Sequence, residues 1–598
     1  MALTAKSWVA LVTYVVVMGL IIRGVRIPVP RFLSRPLLRA LVKCRILDPP
    51  PRPQPRPPSP TSLKSPADAP TETAYPPTTV PSEHVVDRRL VIPLDLRTAP
   101  VLAVVFLLAT TVIDGHVVRL GIVGEDGVRP YDVLVLFISL AYISTALDST
   151  GGLRALAFWI SQKAARRAPD ASPSAPKTAS GLYLWTLLYV FWFLSGLVVG
   201  NDPIVLSGTA FLGYFTRATG ITAPRGWTMS QFAMANVASA ALVSSNPTNV
   251  LIAGAWKLNF VTGFTAWTLL PAVVTAIVGY PLLLFLFTFF RPSESSTSLS
   301  TRQRYIPTRL LPPDVSPRSA LVDPAGAAFH SVLMLTTLAA LVGTSFLHDK
   351  VQVWMVTAAA GVVAFARDVW SERKPPPPLG PSRTDEVELA ASAAPTPAAP
   401  PPRAAAAPRP LLTVQSLVRA TCARFPTTTT TVSRLPLSLL PFAGGIFVLA
   451  RALTATGWTD LFATWTAKAC VNPAATVFFV GYVTAIFLCP LCGTNIGGTI
   501  LAVEILRSPS FALAPHVAAD ARILDGARYA LALASNVGAL SWSVSSSLAG
   551  LLWVRILEQK GIRVGKREFA TWFGAGMLVV FQTVACAVVL VEVYYWRV

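Results

Sequence analysis

Ala241-Leu-Val-Ser-Ser-Asn-Pro-Thr-Asn-Val-Leu-Ile-Ala-Gly-Ala-Trp256 sets a polar run, Ser244 to Asn249, inside an apolar segment long enough to cross a bilayer. Pro247 lacks a backbone donor and interrupts a helix at that point. In hydrocarbon, freed backbone groups and buried amides are tolerated only where they are packed in protein or line a watered cavity. The stretch reads either as a kinked helix satisfied by its neighbours or as part of a transport site. The rest of the chain favours the second reading.

Over 598 residues, hydrophobic side chains make up 53% and charged ones only 13%. Mean hydropathy is +0.56. These values predict an all-α polytopic membrane protein embedded in the lipid bilayer, in the plasma membrane or an endomembrane. The formal charge of +21 is no nucleic-acid signal, because Lys and Arg collect in loops between apolar segments, where they report topology. Six scattered cysteines make no disulfide framework, and five dispersed histidines make no metal site. HExxH, nucleophile-elbow and Walker A motifs are absent, so an enzyme is not expected.

Residues 1–23 read as a first transmembrane helix, retained as an anchor, with basic residues from Arg23 to Arg45 placing the following loop in the cytoplasm. Residues 24–97 form a Pro/Arg-rich cytoplasmic linker, with an extended Pro-rich spacer at 48–82. A first transporter repeat is expected over 98–290: spans at 98–116 and 131–148, a hairpin at 183–217 around Gly200-Asn-Asp-Pro203, a broken span at 229–257 and a span at 262–289. Residues 291–328 read as a cytoplasmic linker. The second repeat, 329–598, has spans at 329–346, 351–366 and 434–453, a hairpin at 475–508, a broken span at 526–553 and a last span at 570–595. A Pro/Ala-rich insert at 368–430 interrupts it and reads as disordered. The total is ten spans and two hairpins.

Ala146-Leu-Asp-Ser-Thr-Gly151 with Ala157 and Trp159 recurs, without a gap, as Ala452-Leu-Thr-Ala-Thr-Gly457 with Ala463 and Trp465. Ser245-Asn246 is matched to Ser535-Asn536, and the tip Asn201 to Asn495. Loop charges give the halves opposite orientation. The expected architecture is therefore an inverted repeat of about five spans plus a re-entrant hairpin each, with broken helices meeting at the midplane, as in secondary transporters.

At these residues the chain resembles the ion-transporter superfamily of arsenite pump membrane subunits, citrate-transporter-like proteins and sodium/proton antiporters. Gly200-Asn-Asp-Pro resembles the pump's hairpin tip, Val243-Ser-Ser-Asn-Pro-Thr-Asn-Val-Leu251 its Val-Ser-Asn segment, and Ser546-Ser-Leu-Ala-Gly-Leu-Leu-Trp553 with Leu557-Glu-Gln-Lys560 its Gly-Ser-Leu-Ala segment. Departures fall in the second half: Asn536-Val-Gly-Ala-Leu-Ser replaces a Gly-Pro-rich stretch, and Cys492-Gly-Thr-Asn-Ile-Gly-Gly498 replaces an Asn-Asn tip. The resemblance implies a homodimer, and most closely a proton-coupled efflux transporter of arsenite or antimonite. Alternatives on the same fold are a sodium/proton antiporter and a citrate or dicarboxylate carrier. A receptor or scaffold using the Pro-rich loops is a remoter one.

The expected substrate site comprises Asn201, Ser245, Asn246, Thr248, Asn249, Thr494, Asn495, Ser535 and Asn536. Helix N-termini and mixed donors and acceptors there suit a small inorganic oxyacid or a carboxylate. No Arg or Lys falls within the tips and breaks. Asp202 is the one acidic residue at a hairpin tip, expected to carry the coupling proton or to pin the hairpin. Glu504 reads as a second relay or a paired structural group. Cys489-Pro-Leu-Cys492 is a weak thiol motif beside the second tip. No cofactor is expected; a proton or sodium gradient supplies the drive.

Overall fold

The computed structural model describes residues 3–46, 91–124, 130–165, 177–289, 301–311, 315–344, 353–373, 413–435 and 437–595. The Pro-rich spacer at 48–82 and most of the 368–430 insert lie outside these residues. Among the described residues, eight helices are long and apolar enough to cross a membrane.

The chain divides into two compact units. The smaller one joins Arg26–Pro93 to Glu372–Pro426. Its described parts include helices Arg31–Lys43 and Val414–Arg424. Val414 N–H donates to the Arg45 carbonyl at 2.9 Å, and Gln415 N–H to that of Ile46 at 3.2 Å. Of the insert expected to be disordered over 368–430, the start lies in a helix ending at Ser371, and Val414–Arg424 is helical.

The larger unit holds the helices that matter for transport. We label them α1 (Ala5–Arg23), α2 (Ala99–Ala109), α3 (Gly115–Val123), α4 (Pro130–Ser149), α5 (Gly152–Ala164), α6 (Gly181–Val199), α7 (Asn201–Ala218), α8 (Pro224–Ser239), α9 (Pro247–Ala255) and α10 (Ala266–Phe289). They continue as α11 (Pro324–Thr344), α12 (Val353–Ser371), α13 (Leu439–Ala455), α14 (Trp458–Ala469), α15 (Pro473–Tyr482), α16 (Asn495–Arg507), α17 (Ala521–Val537), α18 (Leu548–Gln559) and α19 (Val579–Tyr595). A helix at Pro426–Arg434 precedes α13.

Several expected spans change form. The 98–116 span is two helices, because Thr111 takes φ 52° and Asp114 opens α3 by accepting from Val117 N–H at 2.9 Å. Such a cap fixes a helix start by about 1 kcal/mol. The first hairpin's arms, α6 and α7, have 19 and 18 residues, close to spanning length. In the second hairpin the first arm continues from α15 through a π-turn to Leu491, whereas α16 has only 13 residues. The 434–453 span starts later, at Leu439. Described parts of the 291–328 linker pack on the helices. Arg309–Leu310 pairs antiparallel with Ala179–Ser180, Trp227 Nε1 donates to the Tyr305 carbonyl at 2.7 Å, and α11 already begins at Pro324.

The matched Ala-Leu-x-x-Thr-Gly segments have one conformation. Gly151 (φ 79°) turns α4 into α5, and Gly457 (φ 86°) turns α13 into α14. Left-handed backbone at both explains why glycine recurs there. Packing interlocks the two series: α7 lies on α18, and α9 lies on α16. The hairpin arm of each half thus packs on the second part of the other half's broken span.

Candidate functional site

The first break begins after Ser239, the last residue of α8 and eight positions before Pro247. Val243–Ser245 forms a 3-10 turn, Asn246 is extended, and Pro247 is the first residue of α9. Proline is well placed there, since its missing N–H would have no helical partner. Asn246 Oδ1 accepts from Thr248 N–H at 3.1 Å and from Thr248 Oγ1 at 3.0 Å. Carbonyls released at the end of α8 are taken up by Asn249, whose Nδ2 donates to Ser239 O and Leu242 O, both at 2.7 Å. Ser245 Oγ donates to Leu197 O at 2.6 Å, tying the break to α6.

Gly200 lies against this break. Its φ is 92°, and a Cβ there would stand 2.8 Å from the Ser245 carbonyl oxygen. The turn and the close approach both require glycine. Next to it, Asn201 Nδ2 donates to Asn236 Oδ1 at 3.3 Å.

In the second half the break falls later than the Ser535-Asn536 pair matched to the first break. Ser535 and Asn536 sit in the last turn of α17, and the irregular stretch runs from Gly538 to Ser547. Val544–Ser546 repeats the 3-10 turn, and Ser547 (φ −146°, ψ 155°) repeats the extended cap of Asn246 (φ −150°, ψ 140°). The counterpart of Val243-Ser-Ser-Asn246 is thus Val544-Ser-Ser-Ser547, and that of Asn536 is Asn236. This corrects the Ser245-Asn246 to Ser535-Asn536 match. Val-Ser-Ser recurs in both segments, but a serine cap in place of Asn-Pro hides it.

The two breaks meet at Asn536. Its Oδ1 accepts from Asn246 Nδ2 at 2.7 Å and from Ser239 Oγ at 2.9 Å. Its Nδ2 donates to Asn249 Oδ1 at 2.7 Å and to Ala532 O at 2.9 Å. Ser535 Oγ donates to Thr248 Oγ1 at 3.1 Å, and Asn495 Nδ2 donates to Ser535 O at 3.0 Å. Thr494 caps α16 through Gly497 N–H. All of these side chains are buried.

A cavity of about 70 Å³ opens between the first tip and the first break. Gly200 to Pro203, Ser244 to Pro247 and Ser144 and Thr145 of α4 line it, with Leu548 and Leu552 of α18 opposite. Asp202 reaches it, and no described residue gives its carboxylate a hydrogen bond or a cation. Arg434, outside the expected tips and breaks, also lines it and stands 3.7 Å from Asp148 Oδ2. Ser244 Oγ is buried without a partner. Sequence reasoning missed Arg434 because it stands at the very start of the expected 434–453 span, away from the tips and breaks, and missed Ser144 because nothing local marks it.

Glu504 is not at this cavity. Its Oε1 lies 3.6 Å from Arg451 Nε and its Oε2 accepts from Thr454 Oγ1 at 3.5 Å, the paired structural arrangement. Cys489 and Cys492 are buried away from the cavity lining, with Cys489 packed against Gly538.

Residues 90–534 match the family model described as citrate transporter (CitMHS). The chain belongs to the citrate transporter family. This family member is an integral multi-pass membrane protein that moves a small solute, not an enzyme. The match includes Asp202, Asn246 and Arg434 and stops one residue before Ser535. Two solved structures are similar over most of their length. The Alcanivorax borkumensis YdaH transporter is 12% identical with a TM-score of 0.42, covering 86% of this chain and 92% of its own. Neisseria gonorrhoeae MtrF, from a class of antimetabolite efflux pumps, is 12% identical with a TM-score of 0.40, covering 95% and 96%. Among curated proteins none matches this family member.

Proposed function

We propose that this chain is a proton-coupled secondary transporter of a small carboxylate of the citrate class. The carrying observation is one cavity that holds an unpartnered carboxylate, Asp202, together with a guanidinium, Arg434, beside the first turns of α7 and α9. A guanidinium and exposed helix N–H groups favour carboxylate oxygens. Asp202 would take up and release the coupling proton as the solute binds and leaves. Asn246, Thr248, Asn249, Ser535 and Asn536 would hold the two half-helices in register, with Ser245, Asn201, Thr494 and Asn495 fixing the tips. Sodium is the alternative coupling ion.

A second reading is efflux of a neutral oxyacid such as arsenous or antimonous acid. The small cavity of about 70 Å³ favours it, since one water needs about 10–15 Å³ on this measure and only a compact solute fits without rearrangement.

The halves at 98–290 and 329–598 would run in opposite directions through a plasma or endomembrane, with 24–97 and 291–328 on the cytoplasmic side. The equal order of turn, hairpin, break and terminal span supports this, as does the exchange of packing between α7–α18 and α9–α16. The chain would work as a homodimer. Proteoliposome uptake of citrate, arsenite and sodium, each with and without a proton gradient, tests the reading. Gradient-driven citrate uptake supports it; gradient-driven arsenite movement alone would replace it with the second.

A further inference from the structure

A second buried ionisable cluster lies behind α4, the helix that gives Ser144 and Thr145 to the cavity. Tyr142 Oη donates to Asp368 Oδ2 at 2.9 Å. His330 Nε2 is 2.8 Å from Asp368 Oδ1, and Arg367 Nη1 donates to the same oxygen at 3.2 Å. Arg367 Nη2 then reaches Asp323 Oδ2 at 2.9 Å. His330 and Asp368 are 1% and 3% exposed, whereas Arg367 and Asp323 are 21% and 36% exposed. The bonds therefore join α4, α11 and α12 from a half-open edge to a closed interior. Ile143, Ala146, Met334, Ala364 and Leu435 surround the closed end.

The charges do not balance without a proton. Two carboxylates, Asp323 and Asp368, face one guanidinium, so a neutral His330 leaves a net charge of −1 and an imidazolium brings the sum to zero. An uncompensated charge away from water is costly. His330 is the sole ionisable residue of α11, and Arg367 and Asp368 are the only ones of α12. On α4 the others are Tyr131 and Asp132 at its start and Asp148 at its end, the last facing Arg434. The π-turn Phe260–Thr265, which also packs on α11, has none.

We propose that His330 and Asp368 form a proton-dependent clamp that sets the position of the cavity wall through Tyr142. With His330 protonated the cluster is neutral and α4 is held against α11 and α12. On loss of that proton the clamp carries an uncompensated charge, and the Tyr142 contact is the link that passes the change to Ser144 and Thr145 two and three residues on. These are positioning residues, separate from Asp202; the transport part rests on the proposed function above.

The test uses the full chain in detergent and in proteoliposomes across about pH 5.5 to 8. Wild type is expected to lose melting temperature as pH rises by roughly 2–4 °C more than His330→Gln, which holds the cluster at the same charge at every pH, or Asp368→Asn, which removes the imbalance. Tyr142→Phe should keep that pH dependence of melting yet lose the near-neutral inflection in the uptake rate. Equal melting profiles in wild type and His330→Gln would overturn the clamp. So would an uptake inflection that persists in Tyr142→Phe. If wild type moves none of the offered solutes, the transport reading fails while the melting comparison still decides whether His330 balances the cluster.

Discussion

Asn246 donates from Nδ2 to Asn536 Oδ1 at 2.7 Å across 290 positions of sequence. One residue is the cap of α9 and the other the last turn of α17, so this bond joins the interruptions of the two halves. Both are buried, with Asn246 at the edge of the cavity.

Asn536→Ala removes the partner of Asn246, Ser239 and Asn249 at once. Each buried group left without a partner costs about 1–3 kcal/mol, though local relaxation recovers part of it. Melting temperature should fall and uptake should drop at least about tenfold. A variant with full uptake would show that the junction is not needed for the transport cycle.

Gly200→Ala forces a Cβ to 2.8 Å from the Ser245 carbonyl oxygen at φ 92°. The strain is worth about 1–3 kcal/mol. The tip should withdraw from the break, leaving the helices folded but substrate affinity weakened. Ligand-dependent thermal stabilisation measures this, and an unchanged shift with citrate would count against the tip as part of the site.

Asp202→Asn keeps the size of the cavity side chain and removes its titration. Gradient-driven accumulation should vanish, while downhill exchange of labelled for unlabelled solute should persist. Accumulation at the wild-type level would exclude Asp202 from coupling.

Arg434→Gln separates the two substrate readings. For a carboxylate, loss of the guanidinium should raise KM by about ten- to a hundredfold, equivalent to a charge-assisted bond of 1.5–3 kcal/mol. For neutral arsenous acid KM should hardly move. Initial rates with each solute give the answer, with melting temperature controlling for the loss of the Asp148 contact.

Much of the layout is legible in local pattern. Apolar length marks the spans, and the recurrence of Ala-Leu-x-x-Thr-Gly marks two left-handed turns, because a positive φ strongly prefers glycine. Polar residues in the middle of hydrocarbon mark the breaks, since such groups must be satisfied inside the protein. The register of the second break was not legible. Its serine cap does the same backbone work as Asn246-Pro247 with a different side chain, so identity matching settled on Ser535-Asn536, which are helical.

Composition and spacing alone therefore determined a many-span helical protein with two interrupted, polar segments, because desolvation of backbone and amide groups acts on each segment by itself. Which polar groups meet was decided only by tertiary packing. Arg434 and Asp202 line one cavity, His330 meets Asp368, and Asn246 meets Asn536, each time from different helices. A hydrogen bond forms only at contact distance, and no spacing along one helix encodes which other helix will lie beside it.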